Sequence, residues 1–433
     1  MLFAGKNSKR FVLGYDLGDE VSQISFLASD SDMPETLSIL AGAELYNIPT
    51  VLCKRYDVNQ WFYGKEAVKH ISDNDGCEVK NLVSLARKGE MITVDGTEYD
   101  PIALLTLFVK RTLSLLSMEM SINLVDSIMV TTRNLDNRMV NVLNMVMGGL
   151  ELGNVQVYYQ SHEESFYYYM LYQPEELMVR DVLACDYAFG DMTVYRLALN
   201  HNTRPVVATI TKKVYNEMYL PEGQVPTDSS RSRVLEELDE SFLKIMEENC
   251  ENCIVNSVFL LGDGYKDNWM KTSLEYLCRT RRVFQGNNLF SKGASIAARE
   301  RINSSGAADK YVYLGEDKLK ANLGLMLQKQ GTEVYHALLD AGVNWYEAAG
   351  QLETILDSGN KIDIQMTPLT GGEVTVISIV LDGLEKRPER TTRLRITIDL
   401  TAVDRVRVRI EDLGFGELFK SSGKSWTQEF EIN

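Results

Sequence analysis

Residues 186–193 read DYAFGDMT, between the apolar runs VLAC at 182–185 and VYRLAL at 194–199. A period-2 chain stops there, turns around Gly190 and leaves extended again, so the stretch reads as strand, tight acidic tip and strand. Residues 11–27, FVLGYDLGDEVSQISFL, repeat that grammar around Asp16, Gly18 and Asp19. A hairpin with an aspartate at its strand end and glycine at its tip offers a carboxylate and backbone N–H groups, which suit a phosphate with its magnesium ion. A solvated turn is the plainer reading of either hairpin alone. The recurrence of the pair in one chain keeps the phosphate reading open.

The rest of the chain sets the frame. Its 433 residues suffice for two or three domains with full cores. The net charge of −16 disfavours nucleic acid and anionic membranes as partners. Apolar runs such as IALLTLFV at 102–109 read as too short to span a bilayer, and a cytoplasmic location is expected. Six scattered cysteines give no disulfide framework, and the lone CxxC of Cys250 and Cys253 lacks the second pair that a structural zinc requires. The four histidines, His70, His162, His201 and His336, show no metal spacing.

Up to about residue 300, apolar strands alternate with amphipathic helices, such as 233–249, where Leu235, Leu238, Phe242 and Ile245 fall at helical spacing. Residues 302–310, INSSGAADK, read as a linker. After them, 372–383, 392–400 and 404–410 alternate strictly between polar and apolar residues, the pattern of an antiparallel β-sandwich. Arg393, Arg395, Arg405, Arg407 and Arg409 fall on alternating positions of two strands, either a solvated face or a basic strip for an acidic partner.

Two further elements give the pattern a family likeness. Residues 256–278 read as an apolar strand, a Gly262-Asp263-Gly264 turn and a helix, a platform for a phosphate or nucleoside. Residues 289–300, LFSKGASIAARE, form a helix whose small residues permit close approach of another backbone. In order and spacing, the two hairpins and these elements resemble the phosphate-1, phosphate-2, adenosine and second connecting motifs of the actin-like ATPases, and more narrowly the seventy-kilodalton heat-shock chaperones. Residues 48–70, with Gly64 and Ala67, are similar to that family's Gly-x-x-Ala helix, Lys80 falls near its phosphate-contacting lysine, and 157–172 resembles its first connecting motif, with Glu163 at the acidic position. Residues 311–327 and 381–414 are similar to its interdomain linker and peptide-binding β domain.

The resemblance implies an α/β two-lobed actin-like ATPase fold, a ribonuclease-H-like duplication, over 1–305, with lobes at about 1–175 and 176–300. A linker at 306–318 and a β-sandwich at 319–433 without the family's helical lid follow. It implies ATP or ADP with magnesium as cofactor. Asp16, Asp186 and Asp191 would hold the metal, and Gly18, Asp19, Lys80, Gly190, Asp191, Gly262, Asp263 and Gly264 would contact the nucleotide. In an active ATPase Asp16, Asp186 and Glu163 would be catalytic, Glu163 orienting water. A peptide or protein client would meet the sandwich near Val334 and Ile362.

The departures from the family are chemical. Asp19 and Glu20 follow Gly18 where the family has small hydroxylated residues; Ala188, Phe189, Gly190 and Asp191 replace three glycines and a threonine; Asp263 replaces a glycine beside the nucleoside. Two like charges about 4 Å apart at an effective dielectric near 20 repel by roughly 4 kcal/mol, so unaided ATP binding should be badly weakened unless the acids point outward or hold an extra cation. Only 75 residues separate Asp186 from Leu261, so the upper lobe reads as trimmed, and the bulky residues 166–172 would stiffen a hinge or simply fill a core. The favoured expectation is a chaperone-like binding module with a degenerate nucleotide site; a working ATPase and an actin-like scaffold are its alternatives.

Overall fold

A computed structural model describes residues 9–40, 42–187, 191–218, 228–266, 268–286, 288–304, 306, 310–369 and 371–432. The chain forms two compact units, one of Met1–Leu199 with Ala208–Tyr311 and one of Asn200–Val207 with Val312–Asn433. Residues 200–207 thus group with the second unit, although their place in the sequence put them in the second lobe of the first.

The first unit is mixed α/β and carries two sheets of matching plan. In the first, β1 (Phe11–Leu17) pairs antiparallel with β2 (Val21–Ala28) and parallel with β3 (Val125–Thr132), which pairs parallel with β4 (Gln156–Ser161). In the second, β5 (Asp181–Tyr187) pairs antiparallel with β6 (Met192–Asn200), which adjoins β7 (Val206–Tyr215). On its other side β5 runs parallel to β8 (Val255–Leu261), and β8 to β9 (Arg282–Gly286).

The correspondence extends to register. Phe11 faces Val125 and Val12 skips to Ser127, while Asp181 faces Val255 and Val182 skips to Ser257. Asp16 and Asp186 therefore occupy equivalent places, the last position but one of a seven-residue strand. These strands read as nearly continuous apolar runs because β1 and β5 are buried on both faces.

Helices cover the sheets in a like order. Before β3 come α1 (Gly64–Ser72), α2 (Leu82–Lys88) and α3 (Pro101–Ser114); α4 (Asn137–Gly148) joins β3 to β4, and α5 (His162–Leu171) follows β4. In the second half α6 (Asp228–Cys250) precedes β8, α7 (Thr272–Cys278) joins β8 to β9, and α8 (Leu289–Ile302) follows β9. The α6 stripe packs as its spacing predicts, with Leu238, Phe242 and Ile245 buried in the second core and Leu235 against its rim.

Helices α5 and α8 pack together, and glycine makes the approach possible. A methyl group at Gly293 would overlap the carbonyl oxygen of Ser165, and one at Gly14 would overlap the backbone of Ser291 and Ser295. Backbone atoms cannot swing aside as a side-chain tip can. Gly293→Ala is therefore expected to cost about 1–3 kcal/mol or more by overpacking, read as a lower midpoint in denaturant unfolding. An unchanged midpoint would show that the two helices separate without penalty.

Among the described residues, one helical stretch, Pro101–Met118, is long and apolar enough to cross a membrane by length and composition. This corrects the reading of residues 102–109 as too short, because the helix extends well beyond that run. Its Leu104, Leu105, Phe108, Val109 and Leu113 are buried in the first unit, and Thr112 bonds Tyr15 at 2.7 Å.

The second unit has two four-stranded antiparallel sheets. One orders β11 (Thr332–Leu339), β10 (Ala321–Lys329), β13 (Lys361–Pro368) and β14 (Thr375–Val380). The other orders β12 (Ala349–Leu356), β15 (Thr392–Ala402), β16 (Arg405–Gly414) and β17 (Ser425–Glu431). Strict alternation buries Leu394, Ile396, Ile398, Val406, Val408 and Ile410 along one face of the second sheet.

The opposite face does not present a bare basic strip. Arg395 pairs with Glu353 at 2.7 Å, Arg405 with Glu431 at 3.4 Å and Arg409 with Glu411 at 2.9 Å, Arg407 pairs with Asp399, and Arg393 lies 4.0 Å from Glu353. Each arginine of the expected acidic-partner site already faces a carboxylate, so the local charge is balanced across the strands. The two residues expected to meet a peptide, Val334 and Ile362, differ in burial. Val334 is 44 % exposed on β11, whereas Ile362 is 8 % exposed and belongs to the core.

Candidate functional site

Each set of parallel strands carries an aspartate near one strand's C-terminal end, and the crevice beyond strand C-termini is where open α/β sheets place their chemistry. Asp16 lies near the end of β1 and Asp186 near the end of β5. Arg133 follows the last residue of β3, and His162 and Glu163 open α5. Ser161 fixes that opening by accepting the Glu164 N–H at 3.3 Å as an N-cap.

These groups are joined by a polar network. His162 Nε2 lies 2.7 Å from Asp16 Oδ1, with its ring stacked on Phe290 at a centroid distance of 4.0 Å. Arg133 donates one nitrogen to Asp186 Oδ2 at 3.1 Å and the other to Asp191 Oδ1 at 2.8 Å. Lys212 donates to the Arg133 carbonyl at 2.6 Å and to Asn134 Oδ1 at 2.9 Å, and its ammonium lies 3.4 Å from Glu163 Oε1. Arg133 and Lys212 thus tie the ends of the first sheet to the second.

Burial sharpens the electrostatics. Burial pushes the Asp186 carboxyl up, against the pull of Arg133 and His162. Burial opposes the charge of Arg133, yet Asp186 and Asp191 hold its guanidinium above the ordinary arginine value. Tyr195, fully buried beside this cluster, is pushed well up by burial and by the neighbouring Glu163 and Asp186.

Three of the acids that set the tips apart, Asp19, Asp191 and Asp263, have protein donors. Asp19 accepts from the backbone N–H and hydroxyl of Ser84, in the first turn of α2, at 2.9 and 2.5 Å. Asp191 takes Arg133, as above. Asp263 accepts from Asn47 Nδ2 at 3.0 Å and lies 2.9 Å from Lys266. The roughly 4 kcal/mol repulsion expected of bare carboxylates is therefore compensated within the chain. What replaces it is occupancy, since Arg133 stands against the second hairpin, where a cation would serve the same two carboxylates.

The other expected nucleotide contacts have internal explanations too. Gly262 holds a φ of +94°, and a methyl group there would overlap the Tyr187 carbonyl. At Gly264 a methyl would overlap the Tyr187 ring. That ring packs edge-on against Tyr265 and Trp269 at 5.7 and 6.2 Å, and Trp269 Nε1 donates to the Gly264 carbonyl at 2.8 Å. The two glycines of this turn are required by an aromatic core. Lys80 is exposed and pairs with Glu78 at 3.1 Å. Gly18 lies in the first tip, against the Val21 carbonyl, and Gly190 lies outside the described residues.

A magnesium-nucleotide fits this arrangement poorly. Asp16 is committed to His162, and Asp186 and Asp191 to Arg133. Among the described residues no three His, Cys, Asp or Glu side chains form a group that would hold a metal ion. Sequence reasoning missed Arg133, Lys212 and Asn47, and it set His162 aside for lack of metal spacing. Nothing local marks them, because their partners are 53, 58, 146 and 216 residues away.

Comparison with known protein families gives two matches. Residues 318–432 match a domain of unknown function, DUF8552, and residues 33–316 match the C-terminal part of a family of unknown function, DUF5716. No curated protein matches the chain. The second match spans about two thirds of the 433 residues, and the chain belongs to the DUF5716 family.

Proposed function

We propose that this protein is a chaperone-like binding module, related to the seventy-kilodalton heat-shock chaperones, whose actin-like nucleotide site has become a structural junction. On this reading the β-sandwich formed by the second unit takes up a peptide segment or partner protein, and the first unit neither binds nor hydrolyses ATP. The observation that carries the proposal is Arg133. One guanidinium bonds Asp186 and Asp191 together, the place that a bound divalent cation would take in an active relative. The matching registers around Asp16 and Asp186 support the duplication that an actin-like fold requires.

Isothermal titration of ATP and ADP into the full chain, each with and without magnesium, tests this reading. No heat is expected at high micromolar nucleotide. Magnesium-dependent binding that disappears in Asp186→Asn would overturn the proposal and make a working ATPase the better account.

A further inference from the structure

The second unit has one sheet edge unlike its others. Strand β14 borders only β13, and residues 374–381, VTVISIVL, carry no charge and no proline. The remaining edge strands each hold at least one acid: Glu333 in β11, Glu353 in β12, and Glu429 with Glu431 in β17. Charges and prolines are the usual means of keeping an edge from pairing with another chain, and β14 has neither. Its Val374, Val376 and Val380 are 51 %, 53 % and 51 % exposed.

The hydrogen-bond parity of the strand shows what its free edge offers. Leu381 donates its N–H to the Asn360 carbonyl at 2.8 Å, one step beyond the facing pair Lys361 and Val380. In an antiparallel ladder, bonded and non-bonded pairs alternate, so Ile379, Ile377 and Thr375 spend their backbone groups on β13. Val376, Ser378 and Val380 turn theirs to the open edge. Among the described residues, no backbone bond from 374–380 to another element fills it.

We infer that β14 is a self-association edge, pairing antiparallel with β14 of a second copy about a two-fold axis through Ile377. Parity selects this register. It sets Val376 opposite Ser378 and Val374 opposite Val380 of the other copy, so every outward N–H and C=O meets a partner and every pair lies on one face. Ile377 then faces its own counterpart, which extends the buried row of isoleucines across the junction.

Charge confines any contact between two copies to an uncharged edge such as this one. At a net charge of −16, contact between copies is repulsive over most of the surface. In this register Glu373 faces Leu381 and Asp382 faces Gly372, so no like charges oppose one another. The interface is isologous and closes at a dimer. This inference does not rest on the reading of the nucleotide site.

Sedimentation velocity of the full chain over a range of concentrations tests it. Wild type is expected to shift from monomer to dimer as concentration rises. Val376→Pro removes an N–H that only the free edge uses, so it is expected to stay monomeric at every concentration tested while melting within a few degrees of wild type. Register is read by cross-linking in a Cys278→Ser background: Ile377→Cys gives a disulfide-linked dimer on mild oxidation, and Val376→Cys, which opposes Ser378, does not. A wild-type monomer at high micromolar concentration, a dimer that survives Val376→Pro, or equal cross-linking of the two cysteine variants would each overturn the inference.

Discussion

Arg387→Ala lowers the stability of the second unit by about 3–5 kcal/mol, the usual consequence of leaving one charge of a buried pair alone. Arg387 and Asp412 side chains are 4 % and 0 % exposed, and the guanidinium meets the carboxylate through two parallel bonds of 2.9 and 2.8 Å. Asp412 also accepts from the Gly414 N–H at 2.9 Å and from the Ser422 N–H and hydroxyl at 2.8 and 2.6 Å. Such a carboxylate cannot lose its cation without paying the full desolvation penalty. The measurement is denaturant unfolding, with hydrogen exchange of residues 392–432 assigning the loss to this unit. A loss under about 1 kcal/mol would mean that water or another cation reaches Asp412. The conservative Arg387→Lys recovers only part of the loss, since an ammonium cannot make the two-pronged contact.

The same pair sets an acid limit. Burial alone would raise the Asp412 carboxyl, but Arg387 and the Ser422 and Gly414 donors outweigh it and hold the group well below its ordinary value. A carboxyl depressed in the folded state contributes stability that is complete above its unfolded pKa, about 4, and is lost as pH falls toward the folded one. The wild-type second unit is therefore expected to weaken steadily below about pH 4. Arg387→Ala is expected to show a flatter profile there, because most of the depression has gone.

Arg133→Ala is the second large effect, and its readout is magnesium. Removing the guanidinium leaves Asp186 and Asp191, neighbours on the second hairpin, with no cation, a loss expected near 3 kcal/mol, the lower end for a buried pair because Arg133 is about one third exposed. The wild-type melting temperature is expected to ignore millimolar magnesium, since Arg133 already occupies the place that both carboxylates face. The variant is expected to regain part of its lost melting temperature when magnesium is added, as ligand binding to the native state stabilises by mass action. Calcium serves as the control, being larger and less demanding of geometry. If neither ion restores the variant, the carboxylates do not converge once Arg133 is gone, and its role is packing alone. If magnesium stabilises wild type equally, Arg133 does not occupy the cation's place.

Much of this molecule was legible in order and pattern. The hairpin at 11–28 and the start of its twin at 181 follow from apolar alternation broken by Gly and Asp. The α6 stripe follows from helical spacing, and the strands of 392–410 from strict alternation. Each is a local signal, written within a dozen residues. The two acidic hairpins were readable as alike, and the strands that hold Asp16 and Asp186 share one register shift.

The meaning of those acids was not local. The sequence displays Asp19, Asp191 and Asp263 as unmatched charges, because Ser84, Arg133 and Asn47, which receive them, lie 65, 58 and 216 residues away. The arginines of β15 and β16 read as a basic strip for a similar reason: Glu353, Asp399 and Glu431 join them only when strands pair. Where the chain is extended, helical or turned is written locally, since backbone preference and burial period act over a few residues. Which charge meets which was decided only by the tertiary structure, because Coulomb pairing depends on distances that the sheets and helices create when they pack.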